Sequence, residues 1–240
     1  MAAHRPHSAR FTLALALLSL SLGATSAHAI PISWASAVSG NWNDPTKWSP
    51  PQVPTAADDA SITAAGTYTV TLNVDGSVNS LTLGTTSGAQ TLSGNSHSLT
   101  LASASTVASN GVLDLTSGNL NGAGSLTNQG SLVLRAANAA LPLDNFGLIE
   151  AHGNSALNGA LTTEAGSTLR ATGDGAQGGA LLTVLNGFTN NGALELTNVA
   201  AGQGATFNVT NGTLTNAASA SINVLAGAGG GFRTIGAQLD

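Results

Sequence analysis

The chain has 240 residues and a formal net charge of −5, with 7% charged residues, 4% aromatic residues and no cysteine. So few basic residues argue against nucleic-acid binding, which needs cations to neutralise phosphates. Low charge combined with frequent small apolar residues argues against disorder, and a chain without cysteine has no disulfides to stabilise it.

Residues 1–29 have the pattern of a secretory signal peptide. Arg5 and Arg10 provide a basic start, 11–22 is an apolar run, and the letters AHA that end at Ala29 fit the small-x-small cleavage rule. The apolar run of about twelve residues is shorter than the roughly 20 that a membrane-spanning helix needs. We therefore expect an exported chain, located at the cell surface or outer membrane or outside the cell, with the signal peptide cleaved after Ala29.

Residues 30–84 differ from the rest and are predicted to form an N-terminal cap and the first strands. They contain a proline cluster and the three tryptophans of the chain, Trp34, Trp42 and Trp48. Bulky Trp rings and stiff Pro residues suit the end of a stack of strands, where an unpaired edge and an open core must be covered. The alternative is that these three Trp residues form a platform on which sugars stack.

Residues 85–240 repeat one short unit. LTNQGSLVL begins at Leu126, and the unit returns at Leu143, Phe188 and Leu214, with a weaker copy at Leu161. In each full copy an apolar residue precedes a polar residue and an Asn, and an apolar strand follows. One such strand cannot bury its apolar face alone, but stacked copies can share a core, which is typical of a solenoid. We predict an all-β, right-handed parallel β-helix.

Side chains at matching positions of the unit are expected to stack. Alternating apolar residues predict an inner face, formed by Leu92, Leu99, Leu101, Val107, Leu113 and Leu115. Stacked amides can hydrogen-bond as a ladder, and the candidates are Asn128, Asn145, Asn190 and Asn216. The alternative is that Asn simply favours turns. Three glycines after these asparagines are expected to supply the backbone freedom of a sharp turn: Gly130, Gly147 and Gly192.

No residue set predicts catalysis, and neither a cofactor nor a metal is expected. The acids of the repeats fall about one per coil, at outward strand positions and turns: Asp114, Asp144, Glu150, Glu164, Asp174 and Glu195. A glycosidase instead needs two carboxyl groups at a set separation. Asp58 and Asp59 are expected to be turn and cap residues and not calcium ligands. His97 and His152 match no metal spacing, so both are expected at the surface.

The segment ahead of the repeats resembles the opening of bacterial autotransporter-type and related exported β-helix proteins. Such passengers often begin with G-x-W-x-D-x-x-x-W and V-P-x-x-x-D-D patterns. The matching residues in this chain are Gly40, Trp42, Asp44, Trp48, Val53, Pro54, Asp58 and Asp59. The resemblance implies surface β-helix architecture and no particular activity.

From the signal peptide, the repeats and this resemblance we expect a non-enzymatic, surface-exposed or secreted β-helix stalk of autotransporter or adhesin type that mediates adhesion or surface display. Its expected partners are a host surface, a glycan or a sister-cell surface, together with self-association. Because no polar coil closes the stack before Asp240, we expect a fragment truncated at its C-terminus, with membrane contact only through a missing C-terminal anchor. One alternative is a polysaccharide-degrading β-helix enzyme whose active coils are missing. Another is a self-assembling surface or biofilm fibre.

Overall fold

The computed structural model describes residues 29–240 together with Met1. The predicted signal peptide lies outside them, apart from its two end residues. In the described part the chain is all-β, as expected, with a single-turn 3₁₀ segment at Pro45–Lys47. Within that part, no helix is long and apolar enough to cross a membrane.

The strands are short, and in the first half of the chain most have three to six residues. In order they are β1 (Ile30–Trp34), β2 (Gly40–Asn41), β3 (Trp48–Ser49), β4 (Asp58–Ile62), β5 (Tyr68–Leu72), β6 (Gly76–Val78), β7 (Ser80–Leu83), β8 (Gln90–Asn95), β9 (Leu99–Leu101), β10 (Ser105–Val107), β11 (Gly111–Thr116) and β12 (Asn119–Asn121).

The second half continues the same pattern, with two longer strands. In order they are β13 (Leu126–Asn128), β14 (Ser131–Arg135), β15 (Asn138–Ala139), β16 (Leu143–Asn145), β17 (Leu148–His152), β18 (Asn154–Leu157), β19 (Leu161–Thr163), β20 (Thr168–Gly173), β21 (Ala180–Asn190), β22 (Ala193–Asn198), β23 (Ala205–Asn216), β24 (Ser221–Val224) and β25 (Arg233–Leu239).

Three sheets build the molecule, and up to β21 each takes about one strand from every coil. Sheet A has the order β19-β16-β13-β10-β7-β4-β1-β3, sheet B the order β2-β5-β8-β11-β14-β17-β20-β22-β24, and sheet C the order β25-β23-β21-β18-β15-β12-β9-β6. Neighbouring strands are parallel, except that β3 pairs antiparallel with β1 at the N-terminal end. The chain therefore winds through A, B and C and begins again beside its previous coil, which is a β-solenoid. After β19 the strands alternate between B and C, and the strands β21 and β23 of sheet C are longer than the others.

The core is a set of aliphatic stacks that follow the register. In sheet B, Leu113 pairs with Leu132, which in turn pairs with Ile149 of the next coil. All three side chains are fully buried, as are the six residues predicted to form the inner face. Side chains alternate across a strand, so an apolar residue at every second position is enough to build this core.

The corner between sheets B and C uses the left-handed backbone region in successive coils. Ser96, Ser117 and Ala136 have φ of 59°, 54° and 50°, and Gly153 follows with 57°. The amide of Ala136 donates to the carbonyl of His152 in the next coil at 2.9 Å, so a backbone hydrogen bond joins this corner to the next one. Side chains other than Gly, Asn and Asp seldom adopt this region. For that reason the sequence gives no signal for these corners.

The glycines that follow the ladder asparagines have a different role from the one expected. Gly130, Gly147 and Gly192 are absent from the positive-φ residues of the described chain. A Cβ on Gly147 would instead lie 2.2 Å from the carbonyl oxygen of Gly130 in the preceding coil. The expectation of conformational freedom is wrong at these positions, because close approach between coils is what excludes a side chain.

Candidate functional site

The three tryptophans lie together at the N-terminal end of the stack. The Trp34 and Trp48 ring centroids are 5.0 Å apart, those of Trp42 and Trp48 are 4.9 Å apart, and both pairs meet edge to face. Each residue is at most 3% exposed, and Trp48 Nε1 donates to the carbonyl of Trp42 at 2.8 Å. No ring face is open to solvent, so this placement speaks against a sugar-stacking platform.

The candidate ladder asparagines lie at the ends of strands, Asn128 and Asn145 in sheet A and Asn190 and Asn216 in the long strands β21 and β23 of sheet C. Asn128 Nδ2 donates to Asn145 Oδ1 at 2.8 Å, and Asn190 Nδ2 donates to Asn216 Oδ1 at 2.9 Å. The two pairs are separated by Thr163, which pairs in register with Asn145 and receives a hydrogen bond from the amide of Asn191. The structure thus brings these amides together as two pairs.

These amides also close the turn that leads into sheet B. Asn128 Nδ2 donates to the carbonyl of Leu148, and Asn145 Nδ2 donates to the carbonyls of Gly147 and Thr168. Asn128 and Asn145 are fully buried. A buried amide is costly unless its hydrogen bonds are made, so Asn128 and Asn145 have a structural role and no open surface for a ligand. Oδ1 of Asn128 has no hydrogen-bond partner in the described part of the chain.

The charged side chains concentrate on the outer face of sheet B. In one register row Asp114 pairs with Val133, Val133 with Glu150, Glu150 with Arg170, and Arg170 with Glu195. The acids fall about one per coil, as expected. Sequence reasoning nevertheless missed that the shared register stacks Asp114, Glu150 and Glu195 with Arg170 into one group, which we call the charged row.

Two arginines pair with acids of the charged row on neighbouring coils: Arg170, which lies in the row, and Arg135, which lies two residues beyond it on β14. Arg135 Nε lies 3.2 Å from Asp114 Oδ1. Arg170 donates to Glu195 Oε2 through Nε at 2.8 Å, with Nη2 at 2.7 Å from the same oxygen. Their side chains are about one third exposed, so each pair contributes little stability individually. Together they offset two of the four carboxylates near this face, which are Asp114, Glu150, Asp174 and Glu195.

Glu150 is the carboxyl whose environment is most altered. The contact with His152 is the largest cause that lowers the pKa of Glu150; the hydroxyl of Thr172 and the charge of Arg170 lower it too, while burial raises it, and the result is about 2. Thr172 Oγ1 donates to Glu150 Oε1 at 2.6 Å. Glu150 is therefore ionised throughout the physiological range. It is a poor general acid, since that role needs a pKa near the working pH.

His152 lies beside the charged row, and its expected surface position is wrong. Its side chain is 7% exposed, with Nδ1 2.7 Å from Asp174 Oδ2 and Nε2 3.8 Å from Glu150 Oε2. Neither ring nitrogen has a hydrogen-bond partner of regular geometry in the described part of the chain. The ring therefore contacts both carboxylates without a regular hydrogen bond to either. The residue is buried because the loop that begins at Asp174 covers it.

The other histidine and the remaining acids lie apart from the charged row. His97 Nδ1 is 3.5 Å from Asp75 Oδ1, and its side chain is 37% exposed. Asp58 Oδ2 accepts from the amide and hydroxyl of Thr55, which is the turn geometry expected for it. Among residues 29–240, no group of three or more acidic or histidine side chains is placed to hold a metal ion.

A shallow groove of about 160 Å³ lies on sheet C and has no charged lining residue. Ala156 pairs in register between Asn138 and Thr183, and its small side chain leaves the space between these two longer ones. The other lining residues are Asn154, Ser155 and Leu181. The groove is smaller than the roughly 300 Å³ at which pockets for drug-sized ligands begin.

Most buried polar groups of these sites have partners within the described part of the chain, and the exceptions are Asn128 Oδ1 and the two ring nitrogens of His152. The carboxylates of the charged row face cations, the ladder amides face carbonyls, and the Trp rings face one another. No protein-family model, curated protein or solved structure matches the chain.

Proposed function

We propose that this chain is a non-enzymatic, exported β-helix stalk of autotransporter or adhesin type, which mediates adhesion or surface display. One observation carries the proposal: the chain is a continuous stack of parallel coils in which the arginines of sheet B are paired with carboxylates of neighbouring coils. At about 4.8 Å per coil, the nine strands of sheet B span roughly 40 Å. Such a rod would keep the groups at its free end at a distance from the surface to which it is attached.

The proposal includes a right-handed winding and an N-terminal cap. Connections between parallel strands of one sheet are right-handed in almost all proteins, and every full coil here is such a connection. The cap is supported by the Trp cluster and by the antiparallel strand β3, which covers the edge of β1. A covered edge does not template pairing with another chain.

The proposed partners are a host surface, a glycan or a sister-cell surface. The outer strand positions carry mainly hydroxyl and amide groups, such as Thr100, Asn121 and Thr183, and these are partly exposed. Both groups donate and accept hydrogen bonds, as sugar hydroxyls do. Contact through many weak sites along a rod suits multivalent adhesion.

Export and adhesion are tested separately. Bacteria that express residues 1–240 should place the protein outside the cytoplasm, while the same chain without residues 2–29 should remain inside. Beads coated with residues 30–240 should then be retained on cells, matrix or glycans, with beads coated with heat-unfolded protein as the control. If the folded and unfolded coatings are retained equally, the adhesive role is contradicted.

The second candidate is a polysaccharide-degrading β-helix enzyme, which the gathering of carboxylates and arginines on sheet B favours. Against it, the pKa of Glu150 is low and the arginines are engaged with acids. Incubation of residues 30–240 with neutral and uronic-acid polysaccharides decides between the candidates. Hydrolysis that is lost in Glu150→Gln and retained in Glu164→Gln would favour the enzyme.

A further inference from the structure

The groove on the outer face of sheet C takes its side chains from three neighbouring coils. Asn138, Ala156 and Thr183 form one register row on β15, β18 and β21, so Asn138 and Thr183 lie roughly 10 Å apart, which is twice the strand spacing. Asn154 and Leu181 form a second register pair, two residues away on the same face. Ala156 is thus the short side chain at the centre of the groove of about 160 Å³, which we call the sheet C groove.

The polar side chains around the sheet C groove have hydrogen-bonding groups to spare. Within residues 29–240, neither the amide of Asn154 nor the hydroxyl of Thr183 makes a side-chain hydrogen bond. Asn138 Nδ2 donates to Asn119 Oδ1 at 3.2 Å, which leaves the carbonyl oxygen of Asn138 free in the same part of the chain. All three lining residues are at least partly exposed. A ligand can therefore bond to them without breaking contacts within the fold.

The buried part of the lining has no such freedom. Ser155 is buried beneath the groove, and its hydroxyl lies 3.2 Å from the carbonyl oxygen of Leu134 and 3.1 Å from that of His152. Ala156 and Leu181 are half-buried and apolar. The groove therefore has an apolar centre and a polar edge, the combination found in sites for small molecules.

A pyranose ring has the same two parts, with C–H groups on its faces and hydroxyls around its edge. Each sugar hydroxyl both donates and accepts, as the Thr183 hydroxyl does, and an Asn amide offers both donors and acceptors. One ring is also much smaller than the drug-sized ligands for which this groove has too little volume. The shape and chemistry of the groove thus fit one sugar unit.

The charge of sheet C favours a sugar without a carboxylate. The six lining residues are uncharged, and among the described strands of sheet C the one charged residue is Arg233, on the last strand β25. A carboxylate is typically recognised by the paired N–H groups of an arginine, and the arginines of sheet B are engaged with acids. An acidic sugar in the groove would lose hydration without gaining a cation.

We propose that the sheet C groove binds one neutral pyranose unit of a glycan chain. Ala156 and Leu181 contact a C–H face of the ring, and Asn138, Asn154 and Thr183 hydrogen-bond to its hydroxyls. The inference rests on the proposed adhesive function and names the sugar class and the site. A site with so few contacts binds weakly, with a Kd on the order of 1 mM, and many copies on one surface raise the overall affinity.

An NMR titration of isotope-labelled residues 30–240 with cellotetraose, mannotetraose and galactotetraose tests the site. At least one of these neutral sugars should shift the backbone amides of residues 154–156 and 181–183, with a Kd on the order of 1 mM. Tetragalacturonate, the acidic counterpart, should leave these amides unshifted. Ala156→Leu fills the groove and should weaken binding by about tenfold or more. Ala193→Leu makes the same change at an outward position of sheet B and should leave binding unchanged.

A second variant keeps the test decisive if Ala156→Leu does not fold. Thr183→Val preserves the shape of the side chain, removes its hydroxyl and should weaken binding about fivefold. Groove amides that no neutral tetramer shifts, equal binding of tetragalacturonate, or full binding by the folded variants would each overturn the site. The adhesive function has its own readout in the retention of coated beads, so the failure of one is distinguishable from the failure of the other.

Discussion

The side-chain amide of Asn128 donates a 2.8 Å hydrogen bond to Oδ1 of Asn145, one coil further along the stack. Both residues are fully buried at the end of a sheet A strand. In the preceding coils the same row holds Leu83 and Val107. The row therefore accepts either an apolar side chain or a paired amide, and this choice can be tested.

Replacing one asparagine of the pair should lower the stability of the fold by more than the pairwise hydrogen bond contributes, because the other amide is left buried with an unmatched group. Asn145→Leu leaves one N–H of the Asn128 amide without its acceptor in a buried site, while the bond to the Leu148 carbonyl remains, and we expect a loss of about 2–3 kcal/mol in the free energy of unfolding. The double variant Asn128→Leu with Asn145→Leu leaves neither amide stranded. Its loss in urea denaturation should be at least about 1 kcal/mol smaller than the sum of the two single losses. Strict additivity would contradict the pairing.

Gly147 should tolerate no side chain, although its φ is ordinary. In Gly147→Ala the new Cβ would meet the carbonyl oxygen of Gly130 at 2.2 Å, and a backbone atom cannot move aside cheaply. We expect a loss of about 3 kcal/mol or more. Gly166→Ala is the matched control, since Gly166 has φ +84° and no heavy atom within 4 Å of a Cβ. It should lose only about 1–2 kcal/mol, and the reverse order would contradict the close approach of the coils.

The lowered pKa of Glu150 predicts part of the acid sensitivity. The pKa falls from the ordinary 4.5 to about 2 in the folded protein, so Glu150 stabilises the fold above about pH 4.5. That stability is lost as the pH falls from there through 2. Glu150→Gln should remove about 2 kcal/mol of this pH-dependent loss after solvent screening is allowed for. Urea denaturation from pH 7 to pH 2 measures it.

A change to the hydroxyl that holds Glu150 provides the control for that series. Thr172→Val removes the 2.6 Å hydrogen bond to Glu150 Oε1 and should reduce the acid-dependent loss by less than Glu150→Gln does. If all three proteins lose stability with the same pH profile, the ionised Glu150 makes no contribution to the fold.

Substitutions of Trp48 distinguish a packing role of the Trp cluster from a sugar-stacking role. Trp48 is 2% exposed and contacts both other rings, so Trp48→Ala should cost about 3–5 kcal/mol, and Trp48→Phe should cost less. Glycan binding by the folded Trp48→Phe protein should be unchanged. A variant of normal stability that loses glycan binding would instead support the sugar platform.

The predicted cleavage site is tested by the mature N-terminus. Strand β1 begins at Ile30, the residue after the predicted site. Mass spectrometry of the exported protein should therefore find a chain that starts at Ile30, and Ala29→Arg should block its formation, because the site needs a small residue. A mature chain that starts inside β1 would contradict the prediction.

The repeats predict the core correctly because the two-residue period of their leucines matches the positions that are buried. Leu132 and Leu134 alternate with Val133, and both leucines are fully buried. The same logic fails for Ala136, whose left-handed backbone has no marker in a single sequence. Composition could suggest the Trp cluster at the N-terminal end, but not whether the rings face solvent or one another.

The charged row could not be predicted from the sequence, for a different reason. Arg170 and Glu195 are 25 residues apart but adjacent in register, while the neighbouring coils differ in length. Sequence separation therefore does not reveal which outward residues meet. The burial of His152 depends on a loop that interrupts the repeat, so a pattern based on the repeat leaves that residue at the surface.

The winding itself is tested most directly by cross-linking adjacent coils. Thr127, Asp144 and Thr162 are outward neighbours in successive coils of sheet A, and the chain contains no cysteine to interfere. Adjacent strands lie about 4.8 Å apart, within reach of a disulfide, whereas two coils exceed the limit of about 7 Å. The variant Thr127→Cys with Asp144→Cys should oxidise to an intramolecular disulfide, and Thr127→Cys with Thr162→Cys should not. Equal cross-linking of both pairs, or of neither, would contradict the stacked coils.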